Sequence, residues 1–326
     1  PESVRDGHRT WGLALQLYGL RSASNWGIGD FGDLAAVVRT CGRNGAGVIG
    51  VNPLHALFPH NPRHSSPYGP SSRMFLNVLY IDVTAVMDYG ECHEAQQQVE
   101  SAAFQQRLLS LRASERVDYA AVAQVKFEVL RTLHRHFDEH HFRQRTERAR
   151  AFERFVEAGG PPLHRQATFE ALQQHLHASD PSIWGWPVWP PEYRDPQSPA
   201  VARFVESHRV DIEFHAYLQW QAEQQLFAAA EFARAARLSI GLYSDLSVSV
   251  DRGGAEVWAN QDLYAIDASI GAPPDAFNPH GQDWGLPPMI PARLQQAGYA
   301  PFIDTLRANM RHAGALRIDH VMALLR

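Results

Sequence analysis

From Trp11 to Leu54 the chain reads as strand, helix, strand, and this pattern constrains the fold more than any other feature of its 326 residues. Trp11–Tyr18 (WGLALQLY) is a short apolar strand. Arg21–Asp30 (RSASNWGIGD) is rich in Ser, Asn and Gly, the residues of turns. Phe31, Leu34, Val37, Val38 and Cys41 then recur at helical spacing. Gly42–Gly47 turns the chain into a second strand, Val48–Leu54. Strands joined in this way run parallel, with the helix on the outside.

The rest of the chain extends the pattern after a long interruption. A loop with prolines at 59, 62, 67 and 70 covers Phe58–Arg73, and Asn77–Val83 reads as another short strand. Tyr89–Arg237 is mostly helical; Val122, Val125, Val129, Leu130, Leu133 and Phe137 form one apolar stripe. Trp184–Arg194 (WGWPVWPPEYR) breaks this region with aromatics and prolines. Leu238–Leu246 is a third strand, Ser247–Pro291 a second long Gly/Pro loop, Tyr299–His312 a helix and Ala315–Ile318 a fourth strand. Asn52, Asp245 and Asp319 follow the C-terminal ends of strands two, three and four. In a (β/α)8 barrel that end holds the active site. The fold class predicted is therefore α/β: the N-terminal half of a TIM barrel with a large helical insertion between strands 2 and 3. The expected units are 1–83 (first βα units), 84–237 (helical insertion) and 238–326 (strands 3 and 4 with the active-site loop), with the barrel truncated after 326.

Composition is that of a globular protein, 45% hydrophobic and 20% charged, and the net charge of -5 comes with no basic stripe, which argues against nucleic acid as a partner. No apolar run is long enough for a membrane span, Pro1–His8 lacks a leader core, and Cys41 and Cys92 make neither a disulfide framework nor a zinc knuckle. A cytoplasmic protein without membrane association is expected, and nothing in the sequence requires a metal or organic cofactor or fixes the oligomeric state. Eight tryptophans and ten tyrosines supply flat rings of the kind that cover sugar faces. The competing reading is that they fill cores.

Gly314–His320 (GALRIDH) is the sharpest local motif. Arg317 and Asp319, two apart on a strand, point to the same face. An arginine there would hold a carboxylate in place and favour its ionised form, as attack on an anomeric carbon requires. A structural ion pair at a strand end is the alternative, and the heptapeptide does not choose between them.

Gly-x-Arg-x-Asp at the end of a fourth strand resembles the nucleophile motif of the α-amylase clan. The form ALRIDHVM resembles the 4-α-glucanotransferase family, also called amylomaltases or disproportionating enzymes (glycoside hydrolase family 77). Other stretches agree: Asn25–Leu34 (NWGIGDFGDL), Asn52–Arg73 (NPLHALFPHNPRHSSPYGPSSR), Trp184–Tyr193, Tyr217–Leu226 (YLQWQAEQQL) and Gly271–Pro288 (GAPPDAFNPHGQDWGLPP). The resemblance implies transfer of α-1,4-glucan segments between maltooligosaccharides by retaining double displacement through a glucosyl-enzyme. It implies Asp319 as nucleophile, Arg317 as its support, and His320 and Asp245 lining the site of the attacked glucose. Ser66 and Tyr68 would touch the same sugar. Asp275, Gln282 and Trp284 would contact the glucan from a loop folded over the cleft. Packing within its own loop is the competing role for Trp284, and a loop hydrogen bond the competing role for Ser66.

The family's general acid, a later glutamate, and its third acid, a later aspartate, have no counterpart up to Arg326. The sequence is thus expected to be a fragment that is inactive alone. A hydrolase of the same clan and a glucan-binding protein are the alternatives. One other motif, His136-Phe-Asp-Glu-His140, matches the H-x-x-E-H pattern of inverted zinc peptidases. Its charged surroundings, with His134 and His141 nearby and no evident third ligand, favour a solvated helix face.

Overall fold

The computed structural model describes residues 9–324, so Pro1–His8, read above for a leader, lie outside the described residues. Strand β1 (Gly12–Leu15) leads through helix α1 (Phe31–Arg43) to β2 (Val48–Val51). The short strands β3 (His55–Ala56) and β4 (Ser72–Leu76) then pair antiparallel. A helical stretch follows: α2 (His93–Glu100), α3 (Ala102–Ala113), α4 (Tyr119–Phe137), α5 (Glu147–Ser179), α6 (Pro191–Arg194), α7 (Pro199–Ser207) and α8 (Arg209–Ala235). Strand β5 (Gly241–Leu246) returns to the first sheet. Helix α9 (Ala255–Ala259), the hairpin β6 (Ile270–Ala272) and β7 (Gln282–Leu286), and helices α10 (Pro291–Gln296) and α11 (Ala300–Met310) lead to β8 (Ala315–Ile318).

The main sheet has the order β1-β2-β5-β8 and every pairing is parallel. The βαβ reading is thereby observed. No closed barrel is formed among the described residues: the described strands make an open sheet with β1 and β8 at its edges, so the fold shown is α/β with a four-stranded parallel sheet.

Local chemistry explains the individual elements. Asp30 caps α1 by accepting from the Asp33 backbone N–H at 3.1 Å, while the Asp33 carboxylate accepts from the Asp30 N–H at 3.1 Å. Leu34, Val38 and Cys41 of α1 face the core, as their spacing predicted. Helix α5 breaks at Gly160, whose φ of 49° and ψ of -147° suit glycine, just before Pro161 and Pro162. Gly314 is dictated by strand spacing: a Cβ there would meet the Ile240 carbonyl oxygen at 1.6 Å, so β8 could not lie in register beside β5.

Two sequence expectations change, and the core-filling reading of the tryptophans is borne out. Asn77–Val83 is not a strand but a succession of tight turns, Val78–Tyr80 and Val83–Ala85. Asn77 and Asp82 accept from the backbone N–H groups of Leu79 (3.1 Å) and Thr84 (3.0 Å), which supplies local partners in place of a ladder. The buried ammonium of Lys126 donates to the carbonyls of Leu79 (2.8 Å) and Ile81 (2.6 Å) and fixes the same turn from the helical side. The Ser247–Pro291 loop contains α9 and the β6–β7 hairpin. Finally, Trp26, Trp186, Trp189, Trp220 and Trp258 are buried, so most of the tryptophan content serves the core.

That core runs without interruption from Leu17 to Tyr264, joining α1, the sheet and helices α4, α5 and α8. Glu170 on α5 is buried there without a cation partner among the described residues and accepts from Gln166 Nε2 at 3.0 Å. Burial pushes its carboxyl up to about 8. Folded Glu170 therefore keeps a proton that the unfolded chain releases near pH 4.5, and folding stability falls as pH rises from there through about 8. Glu170→Gln, which mimics the protonated acid, is expected to change stability little at pH 5. At pH 8.5 it should stabilise the chain by a few kcal/mol relative to native, read from urea unfolding at both pH values.

Candidate active site

At the C-terminal end of the sheet, β5 and β8 lie side by side with Asp245 opposite Arg317. The guanidinium spans two carboxylates: Nη1 donates to Asp245 Oδ2 at 2.9 Å and Nη2 to Asp319 Oδ1 at 2.8 Å. His320 Nδ1 lies 2.9 Å from the other oxygen, Asp319 Oδ2. Both oxygens of Asp319 are thus held, while 15% of its side-chain surface stays open to an incoming group. His320 has a φ of 45°, left-handed backbone that a non-glycine residue adopts at a cost of about 1 kcal/mol or more. That turn directs its ring back onto the neighbouring carboxylate.

Asp245 is buried, and one of its oxygens, Oδ1, has no hydrogen-bond partner among the described residues. Burial raises its carboxyl above the usual range; Arg317 opposes that rise and the Asp319 charge adds to it. The result is a fixed bridge in which one cation serves two acids of unequal burial.

Two loops flank this centre. Tyr68 is 40% exposed and close enough for its hydroxyl to influence the Arg317 charge, whereas Ser66 is exposed and its Oγ accepts from the Tyr68 N–H at 3.4 Å. On the hairpin, the Trp284 ring stands edge-on to His320 with centroids 4.6 Å apart, and its Nε1 donates to Gln282 Oε1 at 3.0 Å. The structure thus brings together Asp245, Arg317, Asp319, His320, Trp284 and Gln282, with Tyr68 beside them. Asp275 has a local role: its Oδ1 accepts from the N–H groups of Asn278 (2.6 Å) and Phe277 (2.8 Å), and the Asn278 bond leads in keeping its carboxyl below the usual range. Asn52, grouped with the acids in the sequence, is buried and accepts from the Leu17 N–H at 2.7 Å, tying the ends of β1 and β2 together.

Residues not singled out in the sequence position the loops. Arg73 and Glu256 are buried and paired at 3.2 Å, and Tyr264 donates to the same Glu256 oxygen at 2.6 Å. Glu256 also accepts from the Arg73 N–H at 2.7 Å, while Arg73 Nη1 donates to the Val248 carbonyl at 3.3 Å. His64 meets Asp251 at 2.9 Å, and the Asp251 N–H donates to Pro70 O at 2.7 Å. His55 on β3 accepts from the Ser247 N–H at 3.3 Å, two residues beyond Asp245; burial, with Arg73 adding, lowers its pKa to about 3 and keeps the ring neutral. A sequence separation of 183 between Arg73 and Glu256 leaves no local signal for such pairing.

The H-x-x-E-H stretch does not form a peptidase site. His140 stacks on His136 with centroids 4.2 Å apart, and Glu139 and His140 are exposed.

Parallel strands ending in an arginine-bridged acid pair define an α/β protein with a candidate acid site, and comparison with known proteins gives the family. Residues 15–326 match the glycoside hydrolase 77 family, described as 4-alpha-glucanotransferase, and the chain belongs to it. The 4-alpha-glucanotransferase of Haemophilus influenzae is 40% identical over 99% of this chain and 47% of its own length. That of Mycobacterium tuberculosis is 38% identical over 98% of this chain and 43% of its own. Amylomaltase from Corynebacterium glutamicum superposes with a TM-score of 0.79 at 32% identity, over 97% of this chain and 41% of that one. A Streptococcus agalactiae amylomaltase, solved in complex with acarbose, shares the fold at 21% identity (TM-score 0.76), over 96% of this chain and 59% of that one. The chain thus spans somewhat less than half the length of these curated relatives.

Removing the acid of the buried pair strands the Arg73 charge. Glu256→Ala is expected to destabilise the chain by about 3–5 kcal/mol, seen as a lower urea midpoint at unchanged m-value.

Proposed function

We propose that this chain carries the nucleophile half of a 4-α-glucanotransferase active site, acting on α-1,4-glucans and maltooligosaccharides. The observation that carries the reading is the Arg317 bridge between Asp245 and Asp319, in a chain of this family. Asp319 attacks the anomeric carbon of a bound glucan, the C1–O4 bond breaks, and the leaving oxygen takes a proton from a general acid. A glucan hydroxyl then attacks the same carbon, loses its proton to the resulting base and frees Asp319, with overall retention. The general acid, whose carboxyl group must lie about 5 Å from the nucleophile, is not assigned to a residue of this chain.

Arg317 and His320 each occupy one direction at the Asp319 oxygens and leave the remaining lone pairs for attack. Asp245, Ser66, Tyr68, Asp275, Gln282 and Trp284 are assigned to the glucan. The open sheet is read as strands 1 to 4 of a (β/α)8 barrel, with units 1–83, 84–237 and 238–326. No described helix is long and apolar enough to cross a membrane.

With no general acid assigned to it, this chain alone is expected to give no products from maltotriose, whereas a protein that joins it to the remainder of a family 77 sequence is expected to give glucose plus a ladder of longer maltooligosaccharides. Asp319→Asn should reduce that ladder by at least about 10⁴-fold. Glucose and maltose alone would make it a hydrolase. No turnover with retained binding would make it a glucan-binding protein, and an unimpaired Asp319→Asn enzyme would remove the nucleophile assignment.

Trp284 is assigned a sugar face beside His320. Trp284→Ala should weaken acarbose binding about tenfold, measured by calorimetry, without altering the melting temperature. Unchanged affinity would leave Trp284 packing within its own loop.

A further inference from the structure

The helical region contains a second convergence of metal-ligating side chains, on elements that contribute nothing to the Asp319 site. Helix α4 ends at Phe137 and the chain continues through a single π-helical turn, Asp138–Phe142. In a regular α-helix His136 and His141 would point about 140° apart. The wider turn brings them onto one face, with ring centroids 6.2 Å apart. Glu91, from the turn before α2, meets them there: ligand atoms of Glu91, His136 and His141 all lie within 4.8 Å of one another.

The surroundings orient the ligands but hold a competing cation: Arg148 Nη1 lies 3.3 Å from His141 Nε2 and must draw back from it when an ion binds. His141 Nε2 lies 2.9 Å from Glu91 Oε2. Its other nitrogen, Nδ1, is 3.1 Å from Thr146 Oγ1, an outer contact of the kind that orients a ligating imidazole. Asp88 is fully buried behind the cluster. Its Oδ2 accepts from the Tyr217 hydroxyl at 2.6 Å, while Oδ1 lacks a hydrogen-bond partner and lies 3.9 Å from His141 Nε2. Arg148 contacts both acids, at 2.7 Å from Asp88 Oδ1 and 3.4 Å from Glu91 Oε1. With neutral imidazoles, two carboxylates and one guanidinium leave one uncompensated negative charge. His140, stacked on His136, Asp138, paired with Arg143 at 2.6 Å, and the exposed Glu139 are the other titratable groups on the turn.

We propose that Glu91, His136 and His141 bind a borderline divalent cation of the Zn2+ type, which clamps the π-turn to the turn before α2. Two imidazoles and a carboxylate form a zinc donor set, and such ligands discriminate against Mg2+ and Ca2+. Zinc at about 2.1 Å from each ligand sets ligand atoms about 3.4 Å apart, so the half-exposed Glu91 carboxylate and the His136 ring close on the ion by about 1 Å. Asp88 stays paired with Arg148 and supplies the negative field behind them.

The test is calorimetric titration of the EDTA-treated protein with Zn2+, together with thermal melts with and without the ion. The native chain is expected to bind Zn2+ saturably and to melt higher with it. His136→Ala/His141→Ala should lose at least about 100-fold in affinity for that site and lose the melting shift. Glu91→Gln, which alters only an exposed carboxylate, should weaken binding while keeping native circular dichroism, and it decides the matter if the double variant fails to fold. Absence of saturable binding by the native chain overturns the proposal. So does undiminished binding in the variants, which would assign the ion to another histidine pair such as His60 and His215.

Discussion

Arg73 and Glu256 are charged groups with almost no access to water, and a buried charge is costly unless it is paired and hydrogen-bonded; of the Arg73 donors only Nε lacks a partner among the described residues. Here the partners are the hydroxyls of Ser72 and Tyr264, the Arg73 N–H and the Val248 carbonyl. They belong to the two segments that flank the acid pair. Neither segment can shift alone without breaking this set. The loop bearing Ser66 and Tyr68 and the segment leading to Trp284 are thereby held as one body beside the ends of β5 and β8. Neutral His55 extends the same restraint to the Ser247 backbone, next to Asp245. The positions of Tyr68 and Trp284 therefore depend on a buried charge pair outside the Asp245–Arg317–Asp319 centre.

At the acid pair the balance of forces is different. Arg317 is half exposed, so its bonds to Asp245 and Asp319 owe more to fixed geometry than to Coulomb energy. The geometry comes from parallel register: Asp245 stands opposite Arg317, and Asp319 follows two residues later on the same face. Because strand spacing at Gly314 excludes even a methyl group, that register has little freedom to slip.

How much of this was legible in the sequence follows from the range of each interaction. Helix α1, the parallel strands and the Arg317–Asp319 pair are written within a few residues, by apolar spacing, capping groups and alternation. They were read correctly. The turns at Asn77–Val83 were missed because they depend on Lys126, some 45 residues away, whose ammonium holds the Leu79 and Ile81 carbonyls. The Arg73–Glu256 pair was missed for the same reason. Asn52 was misgrouped because position after a strand does not distinguish a side chain that faces a ligand from one that ties two strand ends together. The H-x-x-E-H stretch reads as a solvated helix face, and its exposed Glu139 and His140 agree; regular helical spacing gives no sign of the π-turn that also brings His141 near His136.

The edges of the sheet bear on the half-barrel reading. β1 and β8 each have one neighbour among the described strands, and Trp11, Leu13, Met310 and Ile318, at or next to those edges, are large apolar groups with substantial exposure. Open backbone edges flanked by apolar side chains attract further strands. In a closed barrel each edge gains a parallel neighbour and those side chains gain cover. The same closure would bring the ends of further strands around Asp319, which is where a second carboxyl group must stand for a retaining displacement. On the proposed half-barrel reading, cover for the edge of β8 and a second carboxyl group near Asp319 have one common source.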